Sequence, residues 1–210
     1  MGLWVGAPLL AAGLLLVSWA AWPLPAPLET IPLGPLGQLL PAHPSGSETS
    51  GPNLSLLLRA PRVLRMGGQT QVTALLAPEG DSEEAAGLPS GFNLVAAARI
   101  QTSDLAIDPN GEILEPLPAG GRASYTWRAA PLHTGDLEAT LFVRLELVPH
   151  GGGEVSSRTI LARALPMRST STLGLTQNTA GALGIAALLV GGVLVVGARL
   201  GRGPAREATS

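Results

Sequence analysis

Leu137 to Val148 carries the cleanest alternation in the chain. Leu137, Ala139, Leu141, Val143, Leu145 and Leu147 take one set of positions, and Glu138, Thr140, Arg144 and Glu146 take the other. A period of two belongs to an extended strand with one buried and one wet face. The glycine turn PHGGGE (149–154) follows, and VSSRTILARALPM (155–167) returns as its hairpin partner. Upstream, residues 54–60, 70–78, 92–100, 104–108 and 123–131 read as further short strands, separated by turn-forming stretches such as PRVLRMGGQ and the PNGE turn between Ile107 and Ile113. Seven or so strands at this spacing predict an antiparallel β-sandwich over 54–168.

Two runs break the strand pattern. Leu3 to Trp22 holds no charge, and at 1.5 Å per residue it is about 30 Å long, the thickness of a bilayer's hydrocarbon core. Trp4, Trp19 and Trp22 lie near its ends, where indole rings favour the interface. Two readings stand open for residues 1–22: a transmembrane anchor, or a leader cleaved after Ala20, where Ser18 and Ala20 supply small residues. Ala180 to Ala198 is the second uncharged run, and a tail with Arg199, Arg202 and Arg206 follows it. A transmembrane helix is predicted over 180–200, and its basic tail, 201–210, is placed in the cytoplasm by the positive-inside rule. The central domain is then extracytoplasmic and the chain sits in the cell membrane.

The second run has small residues four apart, Ala180/Gly184, Ala182/Ala186 and Ala187/Gly191, which let two helix backbones approach closely in lipid. Ala180, Gly184, Ala187 and Gly191 are the candidate helix-packing residues, toward a partner or toward the first segment. Neither run contains an internal ionisable residue, which argues against an ion or proton path.

Between the first run and the sandwich, residues 23–53 contain eight prolines and only two charges, Glu29 and Glu48. Proline lacks a backbone donor and fixes φ, so a semi-rigid spacer is expected here. Its leucines, Leu28, Leu33, Leu36, Leu39 and Leu40, are unusual for a free linker and suggest contact with the membrane or a partner. Residues 169–179 form a juxtamembrane segment.

Composition narrows function further. The chain is 46% hydrophobic and 13% charged, with a net charge of −2 and no cysteine. That excludes disulfides, thiol chemistry and cysteine-ligated metals. No basic patch is available for nucleic acid.

Candidate chemistry is sparse. Ser124, His133 and Asp136 appear in the order of a hydrolytic triad, but without the glycine elbow of a nucleophile motif. Asp104, Asp108 and Glu112, in DLAIDPNGE, are weak calcium candidates, since the key carboxylates of an EF-hand are missing. No cofactor is expected. Trp127, the one tryptophan outside the two apolar ends, is expected to anchor the sandwich core.

The segments APRVLRMGGQTQVTALLAP and YTWRAAPLHTGDLEATLFVRLELVPHGGGEVSSRTILARAL resemble the first and last strands of bacterial extracytoplasmic Ig-like domains. In those domains a W-x-x-x-P-x-x-x-G pattern, here Trp127, Pro131 and Gly135, precedes the closing hairpin. The resemblance implies a fold and a binding or structural role, not a reaction. The expected fold class is therefore mostly β: a single Ig-like antiparallel β-sandwich flanked by N- and C-terminal transmembrane helices. The expected function is a non-catalytic, membrane-anchored accessory or assembly subunit whose exported sandwich docks on a membrane-protein complex. Its partners are then membrane lipid and other membrane-protein subunits, reached through the C-terminal helix and the linker. The alternative is a cell-surface binding or adhesion module using the sandwich-end loops 79–91 and 149–154. A hydrolase is the remote third reading, because it needs a pocket joining serine, histidine and carboxylate.

Overall fold

The computed structural model describes residues 2–40, 52–79, 91–118 and 121–200. In chain order they form helix α1 (Gly2–Ala21), strand β1 (Leu28–Pro35), the single turn α2 (Leu36–Leu39), β2 (Asn53–Arg59), β3 (Val63–Arg65) and β4 (Thr70–Pro78). Then come β5 (Phe92–Thr102), β6 (Leu105–Asp108), β7 (Ile113–Pro116), β8 (Ala123–Pro131), β9 (Gly135–Pro149), β10 (Ser156–Thr170) and helix α3 (Gln177–Leu200). The chain divides into two units, Leu24–Thr170 and the paired segments Met1–Pro23 and Ser171–Ser210.

All the strands lie in the first unit, in two five-stranded sheets. One has the order β1-β2-β4-β8-β6 and the other β3-β10-β9-β5-β7. Their inward faces enclose one hydrophobic core, as the alternation requires. The expected mostly-β, sandwich-like fold is therefore observed. On β9 every predicted inward residue is buried, and Leu141, Val143 and Leu145 are fully so. Phe142 falls on the opposite face, where the Arg99 guanidinium sits 5.2 Å from the ring centroid.

The W-x-x-x-P-x-x-x-G spacing acquires a physical meaning here. Trp127 is buried on β8, Pro131 ends that strand, and Gly135 opens β9 with φ +111, a conformation that favours glycine. Between them the chain passes from one sheet to the other. The turn before β10 uses Gly152 and Gly153 at φ +79 and +136 for the same reason.

Trp127 and Tyr125 are both fully buried and stack at 5.9 Å between centroids. They lie opposite Val72 and Ala74 on β4, and the facing sheet brings Ala96 and Ala98 into the same core. Small residues around two large rings fill the space between the sheets without overpacking. Tyr125 Oη and Trp127 Nε1 have no hydrogen-bond partner among the described residues.

The proline-rich segment differs from the expected spacer. Leu28–Pro35 pairs antiparallel with β2, from Leu28 opposite Arg59 to Pro35 opposite Asn53. An edge strand bonds on one side only, so it tolerates prolines that a central strand cannot. The register shifts between Pro32 and Gly34, and Gly34 adopts φ +99 at that irregularity. Leu36 and Leu40 are buried, and Ile31, Leu33 and Leu39 pack against the core. Leu33, Leu36, Leu39 and Leu40 thus complete the sandwich, which removes the reason for assigning them to a membrane or partner surface, whereas Leu28 stays exposed. Residues 41–51, with His43 and Glu48, lie outside the described residues, as does most of the loop 79–91.

Two short strands were also not foreseen. β3 has three residues and runs parallel to the end of β10, and β7 pairs with β5 across Val95–Ala98. At that length a strand shows no readable period.

The expectation of two membrane spans is also revised. Among the described residues one helix, Gln177–Leu200, is long and apolar enough to cross a membrane, whereas the apolar helix Val5–Ala21 is shorter.

Candidate functional site: a helix pair joined at glycines

The residues that suggested hydrolysis are not brought together. Ser124 lies near the start of β8, on its exposed face and opposite Leu75. His133 lies beyond the other end of that strand, about 30 Å away along the extended chain. The His133 partner is Asp104, with Nε2 3.4 Å from Oδ1, and Asp136 instead approaches Arg168 at 3.8 Å.

Asp104 is a structural pin. Its Oδ2 accepts the Glu138 backbone N–H at 2.8 Å, and its Oδ1 accepts the Ser103 hydroxyl at 2.9 Å. The Asp104 carbonyl accepts the Leu132 N–H at 2.9 Å, while Thr102 Oγ1 donates to the Glu138 carbonyl at 2.7 Å. The β5–β6 turn is thereby stitched to the β8–β9 turn. The Glu138 N–H, the Ser103 hydroxyl and His133 hold the Asp104 carboxyl below its ordinary range. The Thr134 carbonyl, and then Asp104, raise the His133 imidazole above its ordinary value.

The calcium candidates are likewise dispersed. Asp104 is used as above, Asp108 faces Arg128 at 3.9 Å, and Glu112 pairs with Arg144, which also bonds Glu146 at 2.7 Å. Among the described residues no group of three His, Cys, Asp or Glu is placed to hold a metal ion.

The residues that do converge are those of the two helices. α1 and α3 run antiparallel, and they meet at glycines. A Cβ built on Gly13 would lie 2.8 Å from the Gly184 carbonyl oxygen, and one on Gly184 would lie 3.0 Å from that of Gly13. The same reciprocity joins Gly6 and Gly191, at 3.2 Å and 3.0 Å. Only glycine allows so close a backbone approach, which brings Cα–H groups against carbonyls. Further along, Ala180 is buried, and a Cβ on Gly181 would lie 3.7 Å from that of Ala20. The Gln177 amide donates to the Ala20 carbonyl at 2.7 Å, satisfying an acceptor at the C-terminal end of α1.

Three of the four helix-packing candidates, Ala180, Gly184 and Gly191, are thus buried, and Ala187 is half-buried on the same side. Ala182 and Ala186 face outward and are exposed. Sequence reasoning missed Gly6, Gly13 and Gln177. Gly6 and Gly13 are seven residues apart, as are Gly184 and Gly191. Two turns of helix return a residue to nearly the same face, so the matched spacing was the available signal.

No protein-family model and no curated protein matches the chain. Similar solved structures are β-sandwich domains. The cupredoxin domain of amoB from Nitrosocaldus yellowstonii is 16% identical with a TM-score of 0.27, over 48% of this chain and 55% of that one, so the chain spans little more than half of it. The ASH / PapD-like domain 7 of human CEP192 is 12% identical with a TM-score of 0.33, over 62% of this chain and 99% of that one. AggA, the major subunit of aggregative adherence fimbriae type I from Escherichia coli, is 12% identical with a TM-score of 0.31, over 57% of this chain and 94% of that one.

Proposed function

We propose that the chain is a non-catalytic accessory subunit held in a membrane by α3, with its β-sandwich on the extracytoplasmic side and Arg199 at the cytoplasmic end. One observation carries the reading. α3 leaves Leu183, Ile185, Leu189, Val190, Val193, Val196 and Leu200 exposed, a girdle of large apolar side chains around a helix long enough to span. Such a surface is costly in water and ordinary in lipid. The scattering of Ser124, His133 and Asp136 favours a binding or assembly role over hydrolysis.

The leucines of 33–40 belong to the core, so partner subunits are assigned to the lipid-facing sides of the helices and to the sandwich surface. The test is carbonate extraction of membranes, followed by size analysis in mild detergent. The reading expects the chain to remain in the carbonate pellet and to migrate with other membrane subunits. Release by carbonate removes the anchor, and migration as a lone monomer removes the assembly role.

A further inference from the structure

We propose that α1 is not a cleaved leader but a permanent part of the protein, paired with α3, and that Gln177 withholds the one bond a leader peptidase would cut. The inference rests on the membrane reading above and extends it to residues 1–22.

The candidate cleavage bond joins Ala20 to Ala21. A peptidase needs that bond extended, its carbonyl free to enter an oxyanion hole and its small side chains free to enter pockets. None of these conditions is met. α1 continues through Ala21, and the Trp22 N–H still donates to the Ser18 carbonyl at 2.9 Å, so the bond lies in helical backbone. The carbonyl of Ala20, the one an oxyanion hole would have to accept, is taken by the Gln177 amide at 2.7 Å. The Ala20 side chain faces Gly181 across the pair.

The rest of the seam explains why α1 stays in place. A leader is transient and needs no partner of matched shape. α1 instead meets α3 at two reciprocal glycine contacts and at Ala20, spread over the fifteen residues from Gly6 to Ala20, about 21 Å of helix.

The experiment uses the full chain with a C-terminal tag, in a host membrane that contains a leader peptidase. Intact mass is measured on the wild type and on a Gln177→Ala, Gly184→Leu, Gly191→Leu variant. The wild type is expected to keep residues 1–20, and the variant to yield a new species beginning at Ala21. A wild type beginning at Ala21 overturns the proposal. An uncut variant overturns the protective role of Gln177 and the seam.

A second measurement does not depend on that variant folding. The chain has no cysteine, so Ala20→Cys with Gly181→Cys introduces one pair, at a Cβ separation of 3.7 Å that suits a disulfide. With a protease site placed in the sandwich, the two cut halves should stay joined until reductant is added. Halves that separate without reductant overturn the pairing. Carbonate extraction of the same samples separates the two readings. A chain that leaves the membrane defeats the anchoring role, whereas one that stays but begins at Ala21 defeats only the retention of α1.

Discussion

Gly13 and Gly184 each place a backbone carbonyl where the other's Cβ would be, 2.8 Å and 3.0 Å away. Neither residue can gain a methyl group unless the two helices move apart.

Gly184→Ala is therefore expected to weaken the helix pair by about 1–3 kcal/mol, the usual cost of overpacking. Gly192→Ala is the control. A Cβ there meets nothing within 4 Å, and alanine is the better helix former by about 1 kcal/mol. Loss of helicity on titration with a denaturing detergent, followed by circular dichroism, should order the proteins Gly192→Ala, wild type, Gly184→Ala from most to least stable.

Trp127→Ala empties the largest fully buried side chain of the sandwich and is expected to cost about 3–5 kcal/mol. Tyr125→Phe should behave differently. The Tyr125 hydroxyl is buried with no partner among the described residues, so removing it is expected to be neutral or slightly stabilising. Burial, reinforced by Glu115, also raises the pKa of that phenol well above its ordinary value. Urea unfolding followed by near-ultraviolet dichroism compares the two variants. An unchanged midpoint for Trp127→Ala would remove the residue from the core.

Leu36→Ala distinguishes a folded strand from a spacer. Leu36 is 4% exposed, so the substitution should cost about 2–5 kcal/mol, although it lies in a stretch that reads as proline-rich linker. Leu28→Ala, at a side chain 64% exposed, should fall within about 0.5 kcal/mol of wild type. Thermal melting of the two variants side by side is the measurement.

Asp104 and His133 shape the pH dependence from opposite sides. The Asp104 pKa is lowered in the folded state, so its contribution is present above the ordinary carboxylate range and is lost as pH falls through the depressed value. The His133 pKa is raised, so its contribution is present below the ordinary imidazole value and is lost as pH rises through the elevated one. The pair supports the fold best between about pH 4 and 6. Asp104→Asn should remove the acid-side decline belonging to this pair, and His133→Ala the decline above neutrality. Melting temperatures across pH 3–9 test the signs (about one point per unit suffices).

The most legible parts were those where one local period decides the outcome. The alternation from Leu137 to Leu147 gave the inward face of β9 residue by residue, because a strand's side chains must alternate whatever it pairs with. Trp127 was legible as a core residue because a lone large ring in such a strand has few other places to go. The Ala180, Gly184 and Gly191 face was legible for a related reason, since only small residues permit close helix contact. By contrast, Leu28–Pro35 was misread. Proline forbids a central strand, and nothing within the segment announces that it lies at an edge.

Strand periods, the uncharged runs and the absence of cysteine are properties of neighbouring residues, and they settled the β class and the apolar helices without a fold. Partner choice is a property of residues far apart, and only the tertiary structure decided it. His133 lies close in sequence to Asp136 but approaches Asp104, because the β5–β6 and β8–β9 turns meet where β5 and β9 pair. Gly184 faces Gly13 because two helices at opposite ends of the chain share a seven-residue glycine spacing, and a contact that close forms only when both backbones are bare at the same height.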